Sequence, residues 1–65
     1  MFKFTLIDEY REIETIFDST SDMANFVFET TGLWLLAGHV KSVCDEMQRG
    51  DKWENEDAGI TIERI

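Results

Sequence analysis

Phe2-Lys3-Phe4-Thr5-Leu6-Ile7-Asp8 alternates apolar with polar side chains, and this stretch decides the fold. Phe2, Phe4 and Leu6 share one parity, and Lys3, Thr5 and Ile7 share the other. A period of two marks a strand with one apolar and one mixed face. Glu12-Ile13-Glu14-Thr15-Ile16-Phe17 repeats the pattern, with Ile13, Thr15 and Phe17 opposite Glu12, Glu14 and Ile16. The polar break Asp8-Glu9-Tyr10-Arg11 joins the two runs, so they read as an antiparallel hairpin. The break lacks Asn-Gly or Asp-Gly, which leaves the turn type open. Ile7 and Ile16 lie on the otherwise polar parity, which predicts a partial cover over the second face.

A third alternating run lies at residues 59–65, with Ile60 and Ile62 on one parity and Thr61 and Glu63 on the other. It reads as a last strand paired with the hairpin. Between these strands, residues 33–48 carry the clearest helical spacing. Leu33, Leu36, Val40, Val43 and Met47 form a stripe, with Ala37 and Cys44 beside it. Gly38 weakens this helix by about 1 kcal/mol relative to alanine, and suggests a close neighbour backbone. Arg49 and Gly50 supply a terminating cation and a glycine cap.

Residues 23–31 fit either period. Their β-branched and aromatic content favours a strand. The cluster Asp18-Ser19-Thr20-Ser21-Asp22 before them offers N-cap acceptors, and this tilts the reading towards a helix with Met23, Phe26, Val27 and Thr30 on one face. Residues 51–59 read as an acidic loop around Trp53. The expected fold class is therefore α+β: a small antiparallel sheet (the N-terminal hairpin plus the C-terminal strand) with one main helix packed on one face. Residues 1–65 form a single small domain.

Composition bounds the function. At this size a domain buries only about 60% of its unfolded surface, so the eight aromatic residues supply much of the core. Cys44 is the only cysteine and His39 the only histidine. No intrachain disulfide can form, and there is no Cys/His cluster for a structural zinc site. A lone thiol, an N-terminus without a signal-like pattern and the lack of a long apolar run lead to the expectation of a cytoplasmic protein with no membrane partner.

Catalytic chemistry is hard to assemble from these residues. His39 and Cys44 lie five apart, so they point about 140° apart on a helix and cannot form a nucleophile–base pair within it. Asp51, Glu54, Glu56 and Asp57 are hard oxygen ligands, yet their spacing fails the EF-hand pattern because Trp53 holds the third place after Asp51. There is no glycine-rich phosphate loop and no nucleophile elbow. No cofactor and no enzymatic activity are expected.

The net charge of −8 repels nucleic acid and anionic membranes and attracts basic surfaces. Direct nucleic-acid binding is therefore not expected. Acidity of this kind also serves solubility alone. Two surface features stand out. Glu12 and Glu14 share a strand face at about 6.6 Å spacing, flanked by Asp18, and such a row can imitate a phosphate backbone to a basic groove. Trp34 at the helix edge, and Trp53 among Glu54 and Glu56, have the character of interface anchors, although Trp53 could equally fold back as a lid. These seven residues are the candidate partner-binding set.

In size, acidity and absence of catalytic motifs the chain resembles the small single-domain proteins of bacteriophages and mobile elements, some of which block nucleases or CRISPR effectors. The resemblance carries no site residues over. It implies an inhibitor or modulator that occupies the basic surface of a nucleic-acid-handling protein. The alternative is a structural or assembly subunit, a homodimer through the sheet edge or the Trp34 face, since a small core without staples gains from a partner chain.

Overall fold

The computed structural model describes residues 1–65. Six elements follow one another: β1 (Phe2–Ile7), β2 (Glu12–Phe17), α1 (Thr20–Thr31), α2 (Trp34–Asp45), β3 (Lys52–Asn55) and β4 (Ile60–Arg64). The strands form one antiparallel sheet in the order β2-β1-β4-β3. Both helices cover one face of it, so the domain is a two-layer α+β structure.

Register explains the core. Phe4 of β1 stands between Thr15 of β2 and Ile62 of β4, and Leu6 between Ile13 and Ile60. Phe2, Phe4, Leu6, Ile60 and Ile62 all face the helices and are buried. From above, α1 contributes Met23 and Val27, and α2 contributes Ala37, Val40 and Cys44, with Met47 just beyond it. Phe26 of α1 meets Phe4 edge-on at 5.4 Å and packs at the same distance against Phe17. These three rings anchor α1 over the β1–β2 side of the sheet.

The ambiguous residues 23–31 are helical, and the local reason is a cap. The Ser19 hydroxyl accepts the Asp22 backbone N–H, satisfying one of the orphan donors of the first turn. Gly32 closes α1 in the left-handed region (φ 73°) and donates its N–H to the Phe28 carbonyl. A side chain at φ above zero is strained, and so glycine suits this position.

Four expectations need correction. Residues 51–59 are not a loop throughout, because Lys52–Asn55 is an edge strand with Trp53 opposite Ile62. Ladder pairing with β4 provides the strand bonds that the sequence pattern did not announce. The main helix ends at Asp45, capped by Glu46, rather than at Gln48, and Gly50 serves a turn in which its N–H bonds to the Arg64 carbonyl. The buried stripe of α2 is centred on Ala37, Val40 and Cys44, while Leu33 is 56% exposed and Leu36 and Val43 are half-buried. Small side chains at 37 and 44 let α2 settle close to its neighbours, and the larger ones flank the contact. A Cβ at Gly38 would meet nothing within 4 Å, so no neighbour backbone approaches there.

A glycine with a demonstrable role is Gly59, which has a φ of 70°. A Cβ built on it would lie 2.1 Å from the Ile7 carbonyl oxygen. The Gly59 carbonyl accepts the Ile7 N–H at 2.8 Å, tying the β3–β4 turn to the end of β1. No helix is long and apolar enough to cross a membrane.

Candidate functional site

The outer face of the sheet carries the side chains that alternate with the core. Cross-strand register places Glu14, Thr5, Thr61 and Glu54 in one row, and Ile16, Lys3, Glu63 and Lys52 in the next. Glu12 stands opposite Ile7 beyond them. No layer covers this face: Ile7 and Ile16 are 55% and 54% exposed, contrary to the partial cover expected of them. At ~4.8 Å per strand, Glu14 and Glu54 stand about 14 Å apart at the two rims of the face. Three of the predicted acids, Glu12, Glu14 and Glu54, are thus brought onto one surface from strands remote in sequence.

The charge on that face is mixed. Lys3 approaches Glu14 at 3.6 Å and Lys52 approaches Glu54 at 3.4 Å. Both pairs are well exposed, so each contributes little to stability and opens readily to a stronger partner. Glu12 has no such cation. Asp18 lies outside the strand ladder, after β2 and just ahead of the Ser19 cap, and Glu56 lies in the β3–β4 turn.

Trp53 points the other way. It lies on the core side of β3, half-buried against the core cluster, with its ring edge-on to His39 of α2 at 5.8 Å. The two rings close the α2–β3 side of the domain in the lid arrangement. Trp53 and Glu54 are adjacent in sequence and on opposite faces of the sheet, so they do not form one contact surface.

His39 and Cys44 are not brought together. His39 is on the exposed side of α2, while Cys44 is fully buried. Burial, with a smaller effect from the neighbouring Asp45 carboxylate, raises the Cys44 thiol to about 11, so it is protonated and unreactive at neutral pH. No three His, Cys, Asp or Glu side chains come close enough to share a cation. The largest depression, an open hollow of about 250 Å³, lies between the exit of α2 and β3, lined by Val43, Glu46, Met47, Asp51, Lys52 and Trp53. It falls short of the ~300 Å³ at which ligand pockets begin.

The turn between the helices forms a second and different surface. Trp34 is 67% exposed and Leu35 71%, with Leu33 and Phe28 also exposed. Trp34 is therefore the one predicted aromatic anchor that stands in solvent. Sequence reading missed Phe28, which is one position from buried Val27 and so rotated outwards by about 100°. It also assigned Leu33 to the core stripe. Tyr10, exposed at the tip of the β1–β2 loop, was missed as well. That loop is held by Asp8, whose carboxylate accepts the Tyr10 and Arg11 backbone N–H groups and the Arg11 guanidinium. The Tyr10 N–H, followed by the Arg11 contacts, holds Asp8 below the usual carboxylate range. Comparison with family models, curated proteins and solved structures finds no match.

Proposed function

We propose that this chain is a non-catalytic acidic binding protein that inhibits or modulates a nucleic-acid-handling protein by occupying its basic surface. The observation that carries the reading is the uncovered outer face of the sheet, which carries Glu12 and Glu14 at one rim and Glu54 at the other. A rigid sheet presents these carboxylates at fixed spacing, which reduces the ordering cost of binding. The net charge of −8 steers such a surface towards a cationic one and away from nucleic acid and anionic membranes. Exposed pairing with Lys3 and Lys52 leaves Glu14 and Glu54 able to exchange partners.

The test is capture of partners by the immobilised protein at low and high salt, beside the charge-reversed variant E12K/E14K/E54K. The reading expects basic nucleic-acid-binding proteins that are retained at low salt, lost at high salt, lost with the variant, and displaced by DNA or RNA. Capture indifferent to ionic strength and to charge reversal overturns it.

A further inference from the structure

We infer that the exposed face of α2, centred on Trp34, is the contact surface for a second copy of this chain. The residues concerned are Phe28, Leu33, Trp34, Leu35, Gly38 and Ser42. Trp34, Leu35, Gly38 and Ser42 recur at three- and four-residue spacing and are all exposed, so they share one side of the helix. Leu33 at the turn, and Phe28 in the last turn of α1, are exposed as well.

Charge selects the occupant. From Thr30 to Val40, the stretch that holds Leu33, Trp34, Leu35 and Gly38 of this patch, the sequence has no Asp, Glu, Lys or Arg, in a chain whose net charge is −8. A basic partner gains nothing from such a patch. A second copy, repelled elsewhere by its own carboxylates, can approach here without placing acid against acid. Area sets the scale of such a contact. An exposed apolar patch of a few hundred Å² is the upper range for a monomer. Two such patches meeting across a two-fold axis approach the ~1,000 Å² total that a specific interface requires.

Gly38 supports the same surface. It has neither a positive φ nor a neighbour within 4 Å, so the monomer gives no reason for a glycine inside this helix. With two α2 helices antiparallel about a two-fold axis at Gly38, the backbones approach closely and Trp34 of each copy lies over Ser42 of the other. The contact is isologous, as closed dimers require. It leaves the outer face of each sheet free, so it adds to the proposed function without depending on it.

The experiment is sedimentation equilibrium of the full chain over a wide concentration range at low and high salt, with Trp34→Ala, Gly38→Leu and Glu14→Lys alongside. The expected result is a monomer–dimer equilibrium strengthened by salt, because screening relieves the repulsion between like-charged copies. Trp34→Ala should weaken it about 30-fold or more, as loss of a central aromatic does. Gly38→Leu should weaken it at least tenfold while its Tm stays level or rises, since leucine is the better helix former. Glu14→Lys should leave a dimer. A chain that stays monomeric at high concentration and high salt overturns the proposal. So does a dimer that Trp34→Ala and Gly38→Leu leave intact while circular dichroism shows both variants folded.

Discussion

The two helices have the same length, 12 residues each, and pack against one another, but they are finished differently. α1 is closed at both ends within the chain, by the Ser19 hydroxyl at its start and the left-handed Gly32 at its end. α2 begins at Leu33 with no side-chain cap and no acid in its first turn, and it carries Gly38 in its interior. Its outer side shows Trp34 and Leu35 to solvent, where α1 shows Ser21, Asp22, Asn25 and Glu29 along with Phe28. Local rules account for α1 as an element of a monomer. They do not account for the outer side of α2, whose uncapped start and interior glycine each weaken the helix. Features that cost stability without a return inside the fold are the natural place to seek function.

The largest effect should separate core from surface. Met23 of α1 is fully buried, and Met23→Ala should destabilise the domain by about 2–5 kcal/mol in denaturant titrations. Trp34→Ala removes a larger side chain from α2, yet should change the stability of the monomer by no more than about 0.5 kcal/mol. A large loss at Trp34 in dilute, monomeric protein would mean that its ring packs on its own domain, and the contrast between the helices would fail there.

Gly38→Ala comes next and has the opposite sign. With open space at its Cβ and ordinary helical backbone, alanine should stabilise the domain by about 1 kcal/mol, measured as a rise in the denaturation midpoint at unchanged slope. The cap exchange should be of similar or smaller size. Ser19→Ala is expected to cost about 1 kcal/mol, and Leu33→Ser to gain about 0.5–1 kcal/mol by supplying the missing acceptor. If Leu33→Ser destabilises instead, Leu33 makes a packing contribution that its exposure conceals.

How far the sequence could anticipate this arrangement depended on the kind of signal. Strands β1, β2 and β4 were legible because each alternates over five or six residues, and the helix at α1 because a cap cluster precedes Met23 and Val27. Strand β3 was not, because Lys52-Trp53-Glu54-Asn55 has one large apolar residue and owes its conformation to pairing with β4. The phase of α2 was misjudged because Leu33 and Leu36 outweighed Ala37 and Cys44 on hydrophobicity, while packing chose the smaller pair. The candidate site suffered in proportion. Glu12 and Glu14 could be placed together from one strand, but their sharing a face with Glu54, and the separation of Glu54 from Trp53, follow only once β3 is in register.

The smallest effect concerns the one side chain that joins the helices at their ends. The Asp45 carboxylate, at the exit of α2, accepts the hydroxyl of Thr20 at the start of α1 and the ammonium of Lys41 one turn back. The Thr20 bond first, and the Lys41 contact after it, hold Asp45 below its ordinary value of 3.8. A carboxylate with a depressed folded pKa binds its proton more readily in the unfolded chain. Its contribution is therefore complete above the unfolded value and is lost as pH falls through the folded one. The difference in stability between the wild type and Asp45→Asn should be constant near neutrality and shrink in the acid range below about pH 4. Asp8 follows the same sign in its own loop, so Asp8→Asn separates the two. Because Asp45 is solvent-exposed, salt should reduce its part further. If the Asp45→Asn difference keeps its size into acid, the contact between the helix ends acts through the hydrogen bond from Thr20 and the fit of the side chain and not through the carboxylate charge.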